Sequence, residues 1–250
     1  MPRPAEFDGL RVVLVAPRNP LNIGAAARAM SNFGFFCLRV VNPYEVAFRE
    51  ARSAVGATAV LANAEEYGTV AEAVSDCTLV VGTTAAHGRE LPHPLRRLQE
   101  GARLIRPRLK SGSVALLFGS EKRGLSNQDF SYCHWLMRIP TRDEHGSMNL
   151  GQAVAVCLYE LARAAKGSVR REKVDLATGA QLELLYQALA ETLTVSGYGK
   201  RGSGISTEQR LRRMIRQLNL PAHDAEMWLG ILRQILWKIR SGQPPISNHG

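Results

Sequence analysis

The chain has 250 residues, 45% of them apolar and 22% charged, the balance of a packed globular protein with one large domain or two unequal ones. No apolar run reaches the roughly 20 residues of a membrane helix, and Met1–Leu10 lacks the apolar core of a secretory signal, so neither membrane insertion nor secretion is expected. With 32 basic and 22 acidic side chains the formal charge is +10, carried by 26 Arg and 6 Lys, which makes nucleic acid the first partner to consider and solubility the bland alternative.

The β-branched run Arg11–Ala16 predicts the first strand. Ala-rich Asn22–Phe33 predicts a helix with Asn22 as its N-cap and Gly34 closing it. Cys37–Val41 predicts a second strand, Thr69–Ser75 a short helix, and Thr78–Gly82, Val114–Gly119 and Trp135–Ile139 three further strands. Their near-continuous apolar character predicts a sheet covered on both faces, and their alternation with helices an α/β domain with a mostly parallel sheet. Asn149–Ala165 gives the clearest helical pattern, with Leu150, Val154, Cys157, Leu158 and Leu161 on one face and Gly167 ending it.

The composition changes near Lys166, so the chain divides into a domain over 1–166, a linker over 167–178 and a helical unit over 179–250. In that unit Ala180–Leu193 places Leu182, Leu185, Tyr186 and Leu189 on one face. Ser206 and Gln209 form a capping-box pattern that opens a helix to Asn219. A third helix follows Pro221 and carries Trp228, Ile231, Leu232, Ile235, Leu236 and Ile239. Three helices in about 70 residues bury too little surface alone, so packing on the main domain or on a second subunit is expected. Ser196–Ser206 reads as a mobile basic loop with Lys200 and Arg201.

The cysteines Cys37, Cys77, Cys133 and Cys157 lack zinc-ligand spacing, and no metal is expected. Cys37, Cys77 and Cys157 read as buried thiols, which fits a reducing, cytoplasmic setting. His87, His93, His134 and His145 make no metal cluster by spacing.

Chemistry concentrates at four strand ends, where open parallel sheets bind ligands. Pro17–Met30 opens the first helix, with small Gly24–Ala27 permitting close approach of another backbone and Arg28 a lone cation among alanines. A surface arginine lying along its helix explains Arg28 equally well. Thr83-Thr84-Ala85 follows another strand. Gly119-Ser120-Glu121-Lys122-Arg123-Gly124 follows the next, with Gly119 placed for close approach of a ligand and Gly124 for an unusual φ; a solvated turn is the alternative. Ile139–Gln152 ends the last strand and opens a helix whose N-terminal amides suit an anionic group, although Ser147 and Asn149 also read as simple caps. A dinucleotide fingerprint, P-loop, nucleophile elbow and zinc-protease motif are all missing.

Taken together, Asn22-x-Gly24-x-x-x-Arg28, Gly119-x-Glu121-x-x-Gly124-Leu125 and Ser147-x-Asn149-Leu150 resemble the ordered motifs of the SPOUT-class RNA 2′-O-ribose methyltransferases. The resemblance covers about residues 10–165, and with the helical extension it is closest to the TrmJ-type branch, which modifies tRNA at anticodon-loop position 32. It implies a SPOUT α/β-knot, that is, a mostly parallel sheet with a deep trefoil knot, in a homodimer with interfacial active sites. It implies S-adenosylmethionine in the knot, contacting Thr83, Thr84, Ala85, Gly119, Ile139, Gly146, Ser147 and Met148, with Leu150 lining the pocket. Arg28 and Ser147 take the catalytic roles by resemblance, and Asn22, Glu121 and Asn149 orient the loops. A guanidinium rarely gives up its proton, so alkoxide stabilisation suits Arg28 better than acting as a base. Met148 stands where Leu is common, Gly151 where Ala is, and Arg142–His145 is an unusually charged lead-in that leaves the target base open.

RNA binding has separate support. Residues 89–110 carry a net +5 and residues 166–250 a net +6. Arg96, Arg97, Lys200, Arg201, Arg212 and Arg213 are the expected phosphate contacts, with solvated helix faces as the alternative. The expected reaction is 2′-O-methylation of tRNA at a cytidine or uridine. The alternatives are another tRNA position, ribosomal RNA, or RNA binding without catalysis.

Overall fold

The structure is a computed structural model that describes residues 7–53, 59–85, 93–142, 144, 146–163, 175–198 and 205–241. Apolar runs form the strands β1 (Leu10–Val15), β2 (Cys37–Val41), β4 (Cys77–Thr83), β6 (Ser113–Phe118) and β7 (Trp135–Arg138). Two three-residue strands, β3 (Glu65–Tyr67) and β5 (Leu95–Arg97), complete one sheet in the order β3-β2-β1-β6-β4-β7-β5, with every neighbouring pair parallel.

Both faces of the sheet are covered, as the apolar runs predict. Leu10, Val12 and Leu14 of β1 and Val114, Leu116 and Phe118 of β6 enter one core. The alternate residues Val13 and Val15, and Ala115 and Leu117, enter the other, because successive side chains of a strand point to opposite faces. The first core is closed by α1 (Pro20–Phe33), α2 (Glu45–Ser53), α3 (Ala59–Ala62), α5 (Leu98–Leu109) and α7 (Leu150–Arg163). The second is closed by the short α4 (Val70–Ala73) and α6 (Asn127–Ser131).

Several boundaries differ from expectation for local reasons. The N-cap of α1 is Asn19 and not Asn22: its side chain accepts the Leu21 N–H, and Pro20, which has no N–H to satisfy, takes the first helical position. This frees Asn22 for another partner. Gly34 closes the helix in the left-handed conformation at φ 81°, as expected. Cys37 is only half-buried, because it starts β2 at the mouth of a polar cavity with Arg11, Arg39 and Glu65, whereas Cys77, Cys133 and Cys157 are buried.

The C-terminal helices α8 (Gly179–Val195), α9 (Ile205–Gln217) and α10 (Ala222–Arg240) share a small core of Ala177, Leu182, Leu185, Tyr186, Ala188, Ile215, Ala225 and Leu232. Helix α9 begins at Ile205, so Ser206 lies inside it and not at a cap. The end of the expected linker is part of the fold: Ala177 N–H donates to Leu220 O at 2.9 Å and Ala222 N–H to Asp175 O at 2.9 Å. The unit docks on the sheet domain, where Ala180 N–H donates to Ser75 O at 2.8 Å. Along α10, Leu232 and Leu236 turn inward, while Trp228, Ile231, Ile235 and Ile239 form an exposed stripe. Among the described residues no helix is long and apolar enough to cross a membrane.

Candidate active site

The carboxyl ends of β4, β6 and β7 converge on a cavity of about 570 Å³. Its walls include Thr83, Thr84, Ala85, Gly119, Ile139, Gly146, Ser147, Met148 and Leu150, so the structure brings together every residue expected at the cofactor. Phe118, Glu121, Lys122, Arg123, Leu125 and Phe130 also line it. The signal for Leu125 and Phe130 was available in the apolar positions that follow the glycine loop.

Each wall is held by a bond to a neighbouring strand. Thr83 Oγ1 donates to Leu117 O of β6 at 2.8 Å, and Thr84 N–H donates to Met137 O of β7 at 3.0 Å. The loop after β6 turns back on itself, with Gly124 N–H donating to Ser120 O at 2.8 Å and Gly124 at φ 66°. Gly119 needs to be glycine for the sake of its own loop. A Cβ there would lie 2.0 Å from Gly124 C and 2.1 Å from Leu125 N, so the loop's own backbone takes the space. In the third loop Thr141 Oγ1 donates to Gly146 O at 3.3 Å.

One chain of polar bonds joins three segments distant in sequence. Glu121 accepts the backbone N–H groups of Arg18 at 3.2 Å and Asn19 at 3.1 Å, and Asn22 Nδ2 at 3.0 Å. Asn22 Oδ1 accepts Asn149 Nδ2 at 2.8 Å. Asn149 Oδ1 in turn accepts the N–H groups of Gly151 at 3.0 Å and Gln152 at 3.3 Å, capping α7. Partial burial raises the Glu121 pKa, but the bonds from Asn22, Arg18 and Asn19 outweigh it and hold the carboxyl below its ordinary value. Glu121 is therefore an ionised brace with its oxygens already engaged.

Arg28 is exposed on α1 and is not among the cavity walls. Ser147 is exposed at the cavity rim. Helices α1 and α7 cross closely where Gly151 meets Ala25, the close approach that small Gly24–Ala27 predicts.

The expected RNA contacts divide. Arg97 is exposed, and Arg213 is half-buried. Arg96 pairs with Glu100 and lies over the Trp135 ring. Lys200 and Arg201 fall outside the described residues. Arg212 is a correction: it is buried, 3.1 Å from Glu183 and between the rings of Tyr186 and Tyr132, so it is not available to a phosphate. Counting basic residues cannot separate an arginine in solvent from one between aromatic rings. His93 and His134 are buried, and burial pushes the latter down to about 3, so it is a neutral core imidazole; His87 and His145 lie outside the described residues. Among the described residues no group of three metal-binding side chains occurs.

The cavity's chemistry fits a nucleoside-bearing cofactor. Met137, Ile139, Leu125 and Leu150 offer an apolar slot for a flat base, beside the hydroxyls of Thr83, Thr84 and Ser147 and the backbone of two glycine-containing loops.

Comparison with known proteins agrees with this arrangement. Residues 9–159 match the SpoU rRNA Methylase family. The chain is 36% identical over 242 residues to the tRNA (cytidine/uridine/adenosine-2′-O-)-methyltransferase TrmJ of Pseudomonas aeruginosa, covering 91% of this chain and 94% of the relative. It is 32% identical over 235 residues to the tRNA (cytidine/uridine-2′-O-)-methyltransferase TrmJ of Pectobacterium atrosepticum, covering 92% and 97%. The crystal structure of TrmJ from Z. mobilis superposes with a TM-score of 0.79 at 32% identity, over 90% of this chain and 98% of that one.

Proposed function

The chain belongs to the SpoU rRNA Methylase family, and from that premise we propose that it methylates a ribose 2′-hydroxyl of tRNA with S-adenosylmethionine, at cytidine or uridine 32 of the anticodon loop. The observation that carries this reading is the cavity at the ends of β4, β6 and β7, walled by three loops whose anchors are linked through Glu121, Asn22 and Asn149.

S-adenosylmethionine supplies an electrophilic methyl carbon on a positively charged sulfur. The protein's residues then have three tasks. The loop bonds around Thr84, Gly124 and Gly146 fix the walls before the cofactor arrives, so that little ordering is left for the binding step. Ser147 at the rim orients the ribose hydroxyl. Arg28 stabilises the developing alkoxide as the hydroxyl oxygen bonds to the methyl carbon and the carbon–sulfur bond breaks; the hydroxyl proton passes to solvent.

The homodimer belongs to the same proposal. Arg28 is exposed and outside the cavity's lining, so the partner subunit's Arg28 completes each site. The exposed α10 stripe supports a second contact between protomers. The trefoil knot is supported by a strand order that places β4 between β6 and β7 and brings the loops after all three together. Residues 1–166 serve catalysis, the helical unit, which takes in Asp175 to Thr178 at the end of the expected linker, binds tRNA, and the setting is cytoplasmic.

The experiment is methyl transfer from labelled cofactor to unmodified tRNA transcripts, followed by nucleoside analysis. We expect 2′-O-methylcytidine or 2′-O-methyluridine at position 32. Label elsewhere in tRNA would move the target and keep the reaction. Label only on ribosomal RNA, the substrate in the family's description, would overturn the tRNA assignment. Transcripts with adenosine at 32 test the base preference, on which the names of the two relatives differ.

A further inference from the structure

Helix α9 carries Arg210, Arg212, Arg213 and Arg216, and two of them are buried. The Arg212 guanidinium lies 4.0 Å from the centre of the Tyr186 ring and 4.8 Å from that of Tyr132. Its Nε donates to Glu183 Oε2 at 3.1 Å and its Nη1 to Ser131 Oγ at 3.5 Å. Arg216 is only 1% exposed, donates to Gly179 O at 3.4 Å and lies 3.8 Å from the same Glu183. Nearby, Gln209 Nε2 donates to Gln128 Oε1 at 3.1 Å. Glu183 and Tyr186 belong to α8, whereas Gln128, Ser131 and Tyr132 belong to α6 and its C-cap.

Helix α6 has five residues, too few to persist on its own hydrogen bonds. It continues the loop Gly119–Leu125: Ser126 caps it, and Phe130 N–H donates back to Ser126 O at 2.9 Å. Leu125 and Phe130 on either side of that cap are both walls of the cavity. Phe130 is adjacent in sequence to Ser131, which Arg212 bonds, and two residues from Tyr132, which it stacks on. The C-terminal helices therefore grip, from outside, the short element that shapes the cavity from within.

We infer that Arg212 is a positioning residue for the cofactor cavity, clamping α6 between α8 and the sheet and thereby holding Leu125 and Phe130 in place. The C-terminal unit is then part of the cofactor site as well as a surface for RNA. The inference rests on the cofactor reading above, and its test separates the two.

S-adenosylhomocysteine binding is measured by calorimetry on the full chain for wild type, Arg212→Lys and Arg212→Met, alongside tRNA binding by filter retention and thermal unfolding. Lysine keeps a charge for Glu183 but has no planar group for the two rings and no second nitrogen for Ser131. We expect S-adenosylhomocysteine to bind about tenfold more weakly to Arg212→Met and about threefold more weakly to Arg212→Lys, well below their unfolding temperatures. The KM for S-adenosylmethionine should rise in step, with tRNA affinity within about twofold of wild type. Should the methionine variant fail to fold, the lysine variant decides. A lower unfolding temperature with unchanged S-adenosylhomocysteine affinity makes Arg212 purely structural and overturns the inference, as does a loss confined to tRNA affinity. A wild-type protein that binds no S-adenosylhomocysteine overturns the cofactor reading and this inference with it.

Discussion

At the scale of single residues, position and charge state decide function more than residue type does. Arg28 is an exposed cation that braces nothing among the cavity walls, so its removal should leave the fold intact. Arg28→Ala is expected to unfold at the wild-type temperature and bind S-adenosylhomocysteine normally, yet to lose about 10²–10³-fold in kcat, the usual cost of removing one group that stabilises a developing oxyanion. Wild-type turnover in single-turnover assays would remove Arg28 from the mechanism. Glu121 is the opposite case, a carboxylate committed to structure. Its folded-state pKa lies below the ordinary 4.5, so the unfolded chain takes up its proton first as pH falls. The stabilisation is complete above that ordinary value and fades as pH drops through the lower folded value. Glu121→Gln should therefore unfold at a lower temperature than wild type near pH 7, and the gap should close as pH falls from the ordinary carboxylate value through the lower folded one. A gap independent of pH would show that ionisation of Glu121 contributes nothing.

At the scale of elements, the five long strands were legible to within about a residue at most ends, because β-branched runs buried on two faces leave little room for another assignment. The edge strands β3 and β5 were not. Each has three residues, Glu-Glu-Tyr and Leu-Arg-Arg, and is extended only because β2 and β7 pair with it, which no local pattern records. Helix α5 was hidden by its charges, although Leu98, Ala102, Ile105 and Leu109 mark one helical face. The cavity walls were legible through the motif resemblance, whose residues lie at or just beyond the ends of predicted strands; Arg212 was misread because Tyr132, one of its two stacking partners, is 80 residues earlier in the chain. The contact between α1 and α7 yields a test of its own. Ala normally favours a helix over Gly by about 0.5–1 kcal/mol, but a Cβ on Gly151 would lie 2.6 Å from Ala25 Cβ. Overpacking costs about 1–3 kcal/mol and wins at the start of a helix, where little propensity is gained. Gly151→Ala should unfold roughly 2–6 °C below wild type in a thermal melt, and a higher melting temperature would show that the helices separate freely.

At the scale of the whole molecule, the +10 charge predicts salt-sensitive tRNA binding, and the structure leaves Arg97 exposed and Arg213 half-buried while Arg212 is buried. Arg97→Glu with Arg213→Glu should weaken tRNA binding and flatten its dependence on salt by roughly 0.7–0.9 in log–log slope per lost phosphate contact, leaving S-adenosylhomocysteine binding unchanged. An unaltered slope would place the RNA elsewhere. The proposed dimer predicts complementation. Arg28→Ala keeps its cavity, and Gly119→Ala keeps its Arg28 but must open the loop where Gly124 and Leu125 crowd a Cβ. Each alone should be inactive, and co-expression should restore methyl transfer through mixed dimers. No recovery, with mixed dimers demonstrated, would place Arg28 and the cavity of one catalytic event in the same protomer.

The linkage from Glu121 through Asn22 to Asn149 also has a meaning in time. Its bonds span 99 and 127 residues, so the cavity cannot close until the start of α7 has left the ribosome. A growing chain that has made β1 through β7 already holds most of its sheet but has no finished pocket. Cofactor captured then would shift the folding equilibrium toward the completed domain only after residue 149 is in place. Completion of the pocket therefore waits on the later part of the chain.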